Sequence, residues 1–145
     1  MIATIVLVII DRIAKSFIME NEVNTVLIPG LLNITYVENR GMIFGLAQGS
    51  SSFMGVISLI ICIAIAGYII IENKRNFQYS FGWYLVLAGG IGNMLDRFWY
   101  GYVVDFIDTP FIATFNLADS FIVIGIIIIG LYAITSNHEP RNKGM

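Results

Sequence analysis

Long runs without a charge dominate the chain. Residues 53–71, 76–95 and 120–137 contain no Asp, Glu, Lys or Arg, and each is long enough to cross about 30 Å of hydrocarbon as a helix. The first segment, 1–19, is equally apolar up to Ile10 but then carries Asp11, Arg12 and Lys15. A signal peptide is the competing reading of this segment, but it lacks a positive n-region and an A-x-A-like cleavage site, and its charges fall where an apolar h-region should end. The expectation is a fourth crossing that carries functional polar residues. Beyond it the period changes: Leu32, Ile34 and Tyr36 alternate with Asn33, Thr35 and Val37 after a Pro29-Gly30 turn pair, which is a strand pattern. The predicted fold is an all-α membrane protein. It has four transmembrane helices, at about 1–19, 53–71, 77–99 and 117–137, and a small extracytoplasmic β-rich segment at about 24–46, all in one domain spanning 1–145. That segment reads either as a lid over the bundle or as a cradle to which an extended peptide adds as a strand.

Composition supports a bilayer setting. Of the 145 residues, 57% are hydrophobic and 12% charged, with a mean hydropathy of +0.81, too apolar for a soluble domain of this size. Net charge is −2 and the basic residues are scattered, so nucleic acid is excluded as a partner. The single cysteine, Cys62, and the single histidine, His138, have no companions with which to form a disulfide or a metal site. Lys74 and Arg75 follow the second crossing and Arg141 and Lys143 the fourth, whereas the two other connections hold only Arg40. The positive-inside rule therefore places both termini in the cytoplasm and residues 20–52 and 100–118 outside.

Ionisable groups inside membrane helices are expensive, so each one needs a reason. Asp11 and Lys15, four residues apart, share a helix face; they read either as a self-neutralising ion pair or as substrate-orienting groups. Gly89, Asn93 and Arg97 form a stripe at the same spacing with Asp96 beside it. The stripe reads either as small-residue packing with a snorkelling arginine or as a set of donors aimed at a ligand. If Asn116 is the N-cap of the last helix, Asp119 falls at N3, where a carboxylate serves the free N–H groups of the first turn. That reading does not account for Asp105. The short, Pro110-containing chain between the two aspartates lets both carboxylates meet at the outer boundary. Two adjacent carboxylates do not both ionise easily, so one acts as acid and the other as base on a water, the aspartic-protease arrangement.

At these residues the sequence resembles the lipoprotein signal peptidase (signal peptidase II) family. The resemblance rests on Asp-Arg-Ile-Ala-Lys at 11–15, Asn-Arg-Gly-Met-Ile-Phe-Gly at 39–45, Gly-Gly-Ile-Gly-Asn-Met-Leu-Asp-Arg at 89–97, Gly-Tyr-Val-Val-Asp-Phe-Ile-Asp at 101–108 and Phe-Asn-Leu-Ala-Asp-Ser at 115–120. It implies an aspartic endopeptidase of the bacterial cytoplasmic membrane, working near the outer leaflet. The implied substrate is a diacylglyceryl prolipoprotein, cut just before the lipidated cysteine. It implies Asp105 and Asp119 as the catalytic dyad, and Asp11, Lys15, Asn39, Gly89, Asn93, Arg97 and Asn116 as substrate-site residues, with Asp96 a supporting ion-pair partner. No metal or organic cofactor is implied, membrane lipid is the surrounding partner, and a monomer is expected. The chain departs from the family in having little sequence before its first helix and a shorter stretch between Asp105 and Asp119. A proton-coupled transporter and a structural tetraspan protein are the competing classes. A relay, however, should continue across the membrane, and here the ionisable residues stop in the outer half.

Overall fold

In a computed structural model, residues 1–41, 51–72 and 77–136 are described. Helix α1 (Ile2–Glu20) leads into strands β1 (Asn24–Ile28) and β2 (Leu32–Asn39); helices α2 (Ser51–Ile71) and α3 (Phe77–Trp99) follow. Strands β3 (Val103–Thr109) and β4 (Ile112–Phe115) then precede helix α4 (Leu117–Ser136). The architecture is mostly helical with a small antiparallel sheet of order β1-β2-β3-β4. By length and composition α2 and α4 are apolar enough to cross a membrane. Helices α1 and α3, with 19 and 23 residues, have comparable reach but carry the charges.

The outsides of the helices are apolar. Ile5, Ile9 and Ile13 of α1, Ile60 and Ile63 of α2, and Ile124, Ile127 and Leu131 of α4 are all exposed. A surface of this kind fits lipid rather than water. Between helices, small residues bring backbones together. An ideal Cβ on Gly82 would lie 3.0 Å from the carbonyl oxygen of Gly125, one on Gly125 would lie 2.5 Å from that of Gly82, and one on Gly89 would run into the carbonyl of Ala118. These contacts recur at intervals of seven on both helices, which sets the antiparallel register of α3 against α4. Gly92 does the same for α1, since a Cβ there would lie 2.7 Å from the Asp11 carboxylate.

The sheet is larger than expected. Its second half comes from 103–115, where the sequence shows no strand alternation because Val103, Val104, Asp105 and Phe106 are buried on both faces. Strand β3 pairs with β2 through Asn33↔Asp108, Ile34↔Ile107 and Val37↔Asp105, so the two connections form one sheet. The β1–β2 turn follows its sequence: Pro29 precedes Gly30 at φ +73°, and the Leu31 N–H donates to the Ile28 carbonyl at 3.0 Å, a type II turn. The 42–46 end of the expected β-rich segment lies outside the described residues. So do Lys74, Arg75, His138, Arg141 and Lys143.

Candidate active site

The start of α4 organises the site. Asn116 caps the helix: its Oδ1 accepts from the Asp119 N–H at 2.9 Å, and the Asp119 Oδ2 accepts in return from the Asn116 N–H at 3.3 Å. This is a reciprocal capping box, so the structural role open to Asp119 is fully realised. The other Asp119 oxygen, Oδ1, accepts from Asn93 Nδ2 at 2.7 Å. The Asn116 side chain has a second task. Its Nδ2 donates to Asp105 Oδ1 at 2.7 Å and to Asn93 Oδ1 at 3.1 Å. One asparagine thus holds both candidate carboxylates.

Asp105 reaches this point from the buried centre of the sheet. Its second oxygen, Oδ2, accepts from Asn39 Nδ2 at 2.8 Å. Burial pushes its carboxyl above the ordinary carboxylate range and the charge of Asp119 adds to the rise, while the Asn39 and Asn116 donors and the charge of Lys15 oppose it.

Beneath the pair lies a buried ionic cluster. Lys15 is almost fully buried and its Nζ is 2.9 Å from each of three acceptors, Asp11 Oδ2, Asp96 Oδ2 and Asn93 Oδ1. The ammonium donates to Asn93 and is flanked by the two carboxylates as ion-pair partners. Asp11 Oδ1 accepts from the Ala118 N–H at 2.9 Å, tying α1 to the first turn of α4. Asp96 Oδ2 also accepts from the Val104 N–H at 3.2 Å, which fixes the residue next to Asp105. Asp11 and Lys15 do form an ion pair, and it is widened by Asp96 and Asn93 into a buried cluster. Gly89 sits in the α3–α4 packing seam. Arg97 is half-buried and donates to the Asn93 carbonyl at 3.3 Å, leaving other donors of its guanidinium uncommitted among the described contacts. Asp108 is held by Asn33 at 3.0 Å and Thr114 at 3.4 Å, within the sheet.

Two features escape sequence reasoning. Arg12, in the sequence merely one of the charges that interrupt the first apolar run, pairs with Asp96, and its guanidinium lies 5.2 Å from the Trp99 ring centroid and 5.7 Å from that of Tyr100. The second is a groove of about 380 Å³, bordered by Val37, Glu38, Asn39, Asp105, Ala113 and Thr114. Its rim is polar: Arg40 donates to Glu38 at 2.6 Å and faces the Tyr102 ring. The pairing of an aspartate with tandem aromatics, Asp96 with Trp99 and Tyr100, is the one signal that could have drawn attention to a nearby cation. Nothing in the sequence announces the groove, because it needs the β2–β3 register.

A family model described as signal peptidase (SPase) II matches residues 3–135. The lipoprotein signal peptidase of Caldicellulosiruptor bescii is 38% identical over 126 residues, covering 87% of this chain and 81% of that protein. The one from Syntrophomonas wolfei is 37% identical over 142 residues and covers 95% of each chain. A bacterial membrane enzyme solved by the in meso method superposes with a TM-score of 0.86 at 32% identity, over 99% of this chain and 92% of that one.

Proposed function

The chain belongs to the signal peptidase II family and is a membrane peptidase that removes signal peptides from prolipoproteins; we propose that Asp105 and Asp119 are its catalytic pair. The observation that carries this is the shared clamp of Asn116, which donates through its side chain to Asp105 and through its backbone to Asp119, beside a groove that Asp105 itself lines.

In this mechanism Asp105 holds the proton and Asp119, fed by N–H donors, is the base. Asp119 takes a proton from a water between the carboxyls as the water oxygen bonds to the scissile carbonyl carbon. Asp105 gives its proton to the carbonyl oxygen. The tetrahedral adduct then collapses, the C–N bond breaks, and a proton passes to the departing amine. Asn93 and Asn116 hold the dyad, Asn39 tunes Asp105, and the free donors of Arg97 meet a substrate carbonyl or a lipid oxygen. No metal or organic cofactor takes part.

The finer reading of topology is four crossings, α1 and α3 included, with the chain ends in the cytoplasm and the dyad at the outer leaflet of the bacterial cytoplasmic membrane. The exposed apolar faces of α1 support this, as does the fact that Asp11, Arg12 and Lys15 in its body are held by groups of α3 and α4. The substrate is then a prolipoprotein whose cysteine already bears diacylglycerol: the acyl chains stay among lipid tails while the peptide enters the groove, and the cut falls just before the cysteine. The enzyme acts as a monomer. Purified protein given lipidated and unlipidated forms of one precursor should cleave the lipidated form far faster, releasing a fragment whose first residue is the modified cysteine. Equal rates would remove the lipid from the recognition scheme.

A further inference from the structure

The sheet presents an apolar end that the catalytic reading leaves unused. The β1–β2 turn exposes Val26, Leu27, Ile28 and Leu31, and the β3–β4 turn exposes Phe111 at 79% and Ile112 at 61%. Asn33 pairs with both Val26 and Asp108, so the two turns lie side by side. No charged residue occurs between Glu22 and Glu38 or between Asp108 and Asp119. Beneath β1 an apolar groove of about 400 Å³ is lined by Phe17 and Ile18 of α1 together with Val23, Leu27, Ile34 and Phe106. Phe17 is itself exposed and continues the row of Ile10 and Ile13 on α1, so the groove opens onto the same surface that the helix turns toward lipid.

We infer that both hairpin tips are seated in the interfacial layer of the outer leaflet, with an acyl chain of a bilayer phospholipid lying in the groove between α1 and β1. Three observations favour lipid over a protein partner. The tip of β1 is apolar on both faces, with Leu27 lining the groove and Val26, opposite Asn33, on the other side; a docked protein covers one face, whereas a leaflet surrounds both. The sheet cannot lift away, because it is tied to α1 through residues 21–23, to α3 through 100–102 and to α4 through Asn116 alone, and the Tyr36 N–H donates to the Val23 carbonyl at 2.9 Å. An exposed apolar edge strand in water would be an aggregation site. Depth is limited by the same edge: its unpaired backbone groups exclude the hydrocarbon core, so the seat is shallow, at the headgroup boundary. Such a seat fixes the height of β3, and with it Asp105, relative to the lipid surface.

The inference rests on the proposed topology only in that the bundle spans the bilayer through α4 and the hairpins lie at its outer end, and spin labels separate the two. In a Cys62→Ala background, single cysteines replacing Leu27, Phe111, Ile127 or Arg40 are nitroxide-labelled in phosphatidylethanolamine/phosphatidylglycerol liposomes, and collisions with oxygen and with a water-soluble nickel chelate are compared. The label at 127 should be oxygen-rich and the label at 40 nickel-rich. Those at 27 and 111 should lie between them, each severalfold richer in oxygen than the one at 40. If 27 and 111 match 40 while 127 is oxygen-rich, the seat is overturned and the topology stands; if 127 is also nickel-rich, the topology fails first. Labels that become oxygen-rich only when lipidated substrate is added would give the groove to the substrate's acyl chains and overturn the phospholipid seat.

Discussion

Helix α3 is built from different materials along its length. Its first half packs with aromatic and small residues: Trp83 lies 4.8 Å from the Tyr68 ring and 6.3 Å from the Tyr79 ring by centroids, Tyr79 lies 4.9 Å from Tyr132, and Gly82 meets Gly125. Its second half buries Asn93 and Asp96 against Lys15, Arg12, Asn116 and Asp119. Packing alone would be served by the first kind of contact throughout, since in lipid small residues and ring faces hold helices together without desolvating a charge. The second kind carries a desolvation penalty that apolar replacements would avoid. Its concentration at the end of the bundle where β3 and the α4 cap arrive marks that end as the part built for chemistry.

The contrast is broken most severely at Lys15. Lys15→Met leaves Asp11 and Asp96 buried without their shared cation and should cost about 3–5 kcal/mol of stability, read as a large drop in thermal unfolding temperature in detergent; Tyr79→Phe, in the aromatic half, should cost far less. Next comes the seam. Gly89→Ala places a Cβ against the backbone of Ala118, where nothing flexible can yield, and should destabilise by about 1–3 kcal/mol, more than Gly82→Ala, whose closest neighbour is a side-chain carbon of Ile129.

A smaller effect sharpens the chemical half by pH. The Asp105 pKa is raised in the folded protein, so between the ordinary carboxylate value and that raised value the native state holds more protons than the unfolded chain. Stability from this group is present below the ordinary value and declines as pH rises through the folded one. Cleavage should fall over the same alkaline side, as the acid loses its proton. Asn39→Ala removes the strongest opposing donor and should shift that alkaline limb to higher pH in a kcat/KM profile; an unmoved limb would separate Asn39 from the titrating group. The smallest effect is on the lipid face: Ile127→Leu should stay within about 0.5 kcal/mol and leave cleavage unchanged.

How far the sequence reaches depends on the range of the contact. The spacing of Asp11 and Lys15 shows a shared face, and Asn116 three residues before Asp119 shows the cap; both are local. The hydrogen bond from Lys15 to Asn93, 78 positions apart, and that from Asn39 to Asp105, 66 apart, depend on helix and strand registers that no periodicity encodes. Strand β3 is hidden for a different reason: burial on both faces erases alternation, so Val103–Phe106 looks like any apolar stretch broken by an acid. Arg12 was visible as a charge but not as a partner, since its pairing requires α1 to cross α3 at Asp96.

The central claim is that Asp105 and Asp119 act as one unit. It is tested most directly by cleavage of a diacylglyceryl prolipoprotein with Asp105→Asn and Asp119→Asn, each checked for folding by thermal unfolding in detergent. Both variants should unfold near the wild-type temperature and lose cleavage by about 10³-fold or more. A folded variant of either kind that cleaves at close to the wild-type rate would contradict the dyad.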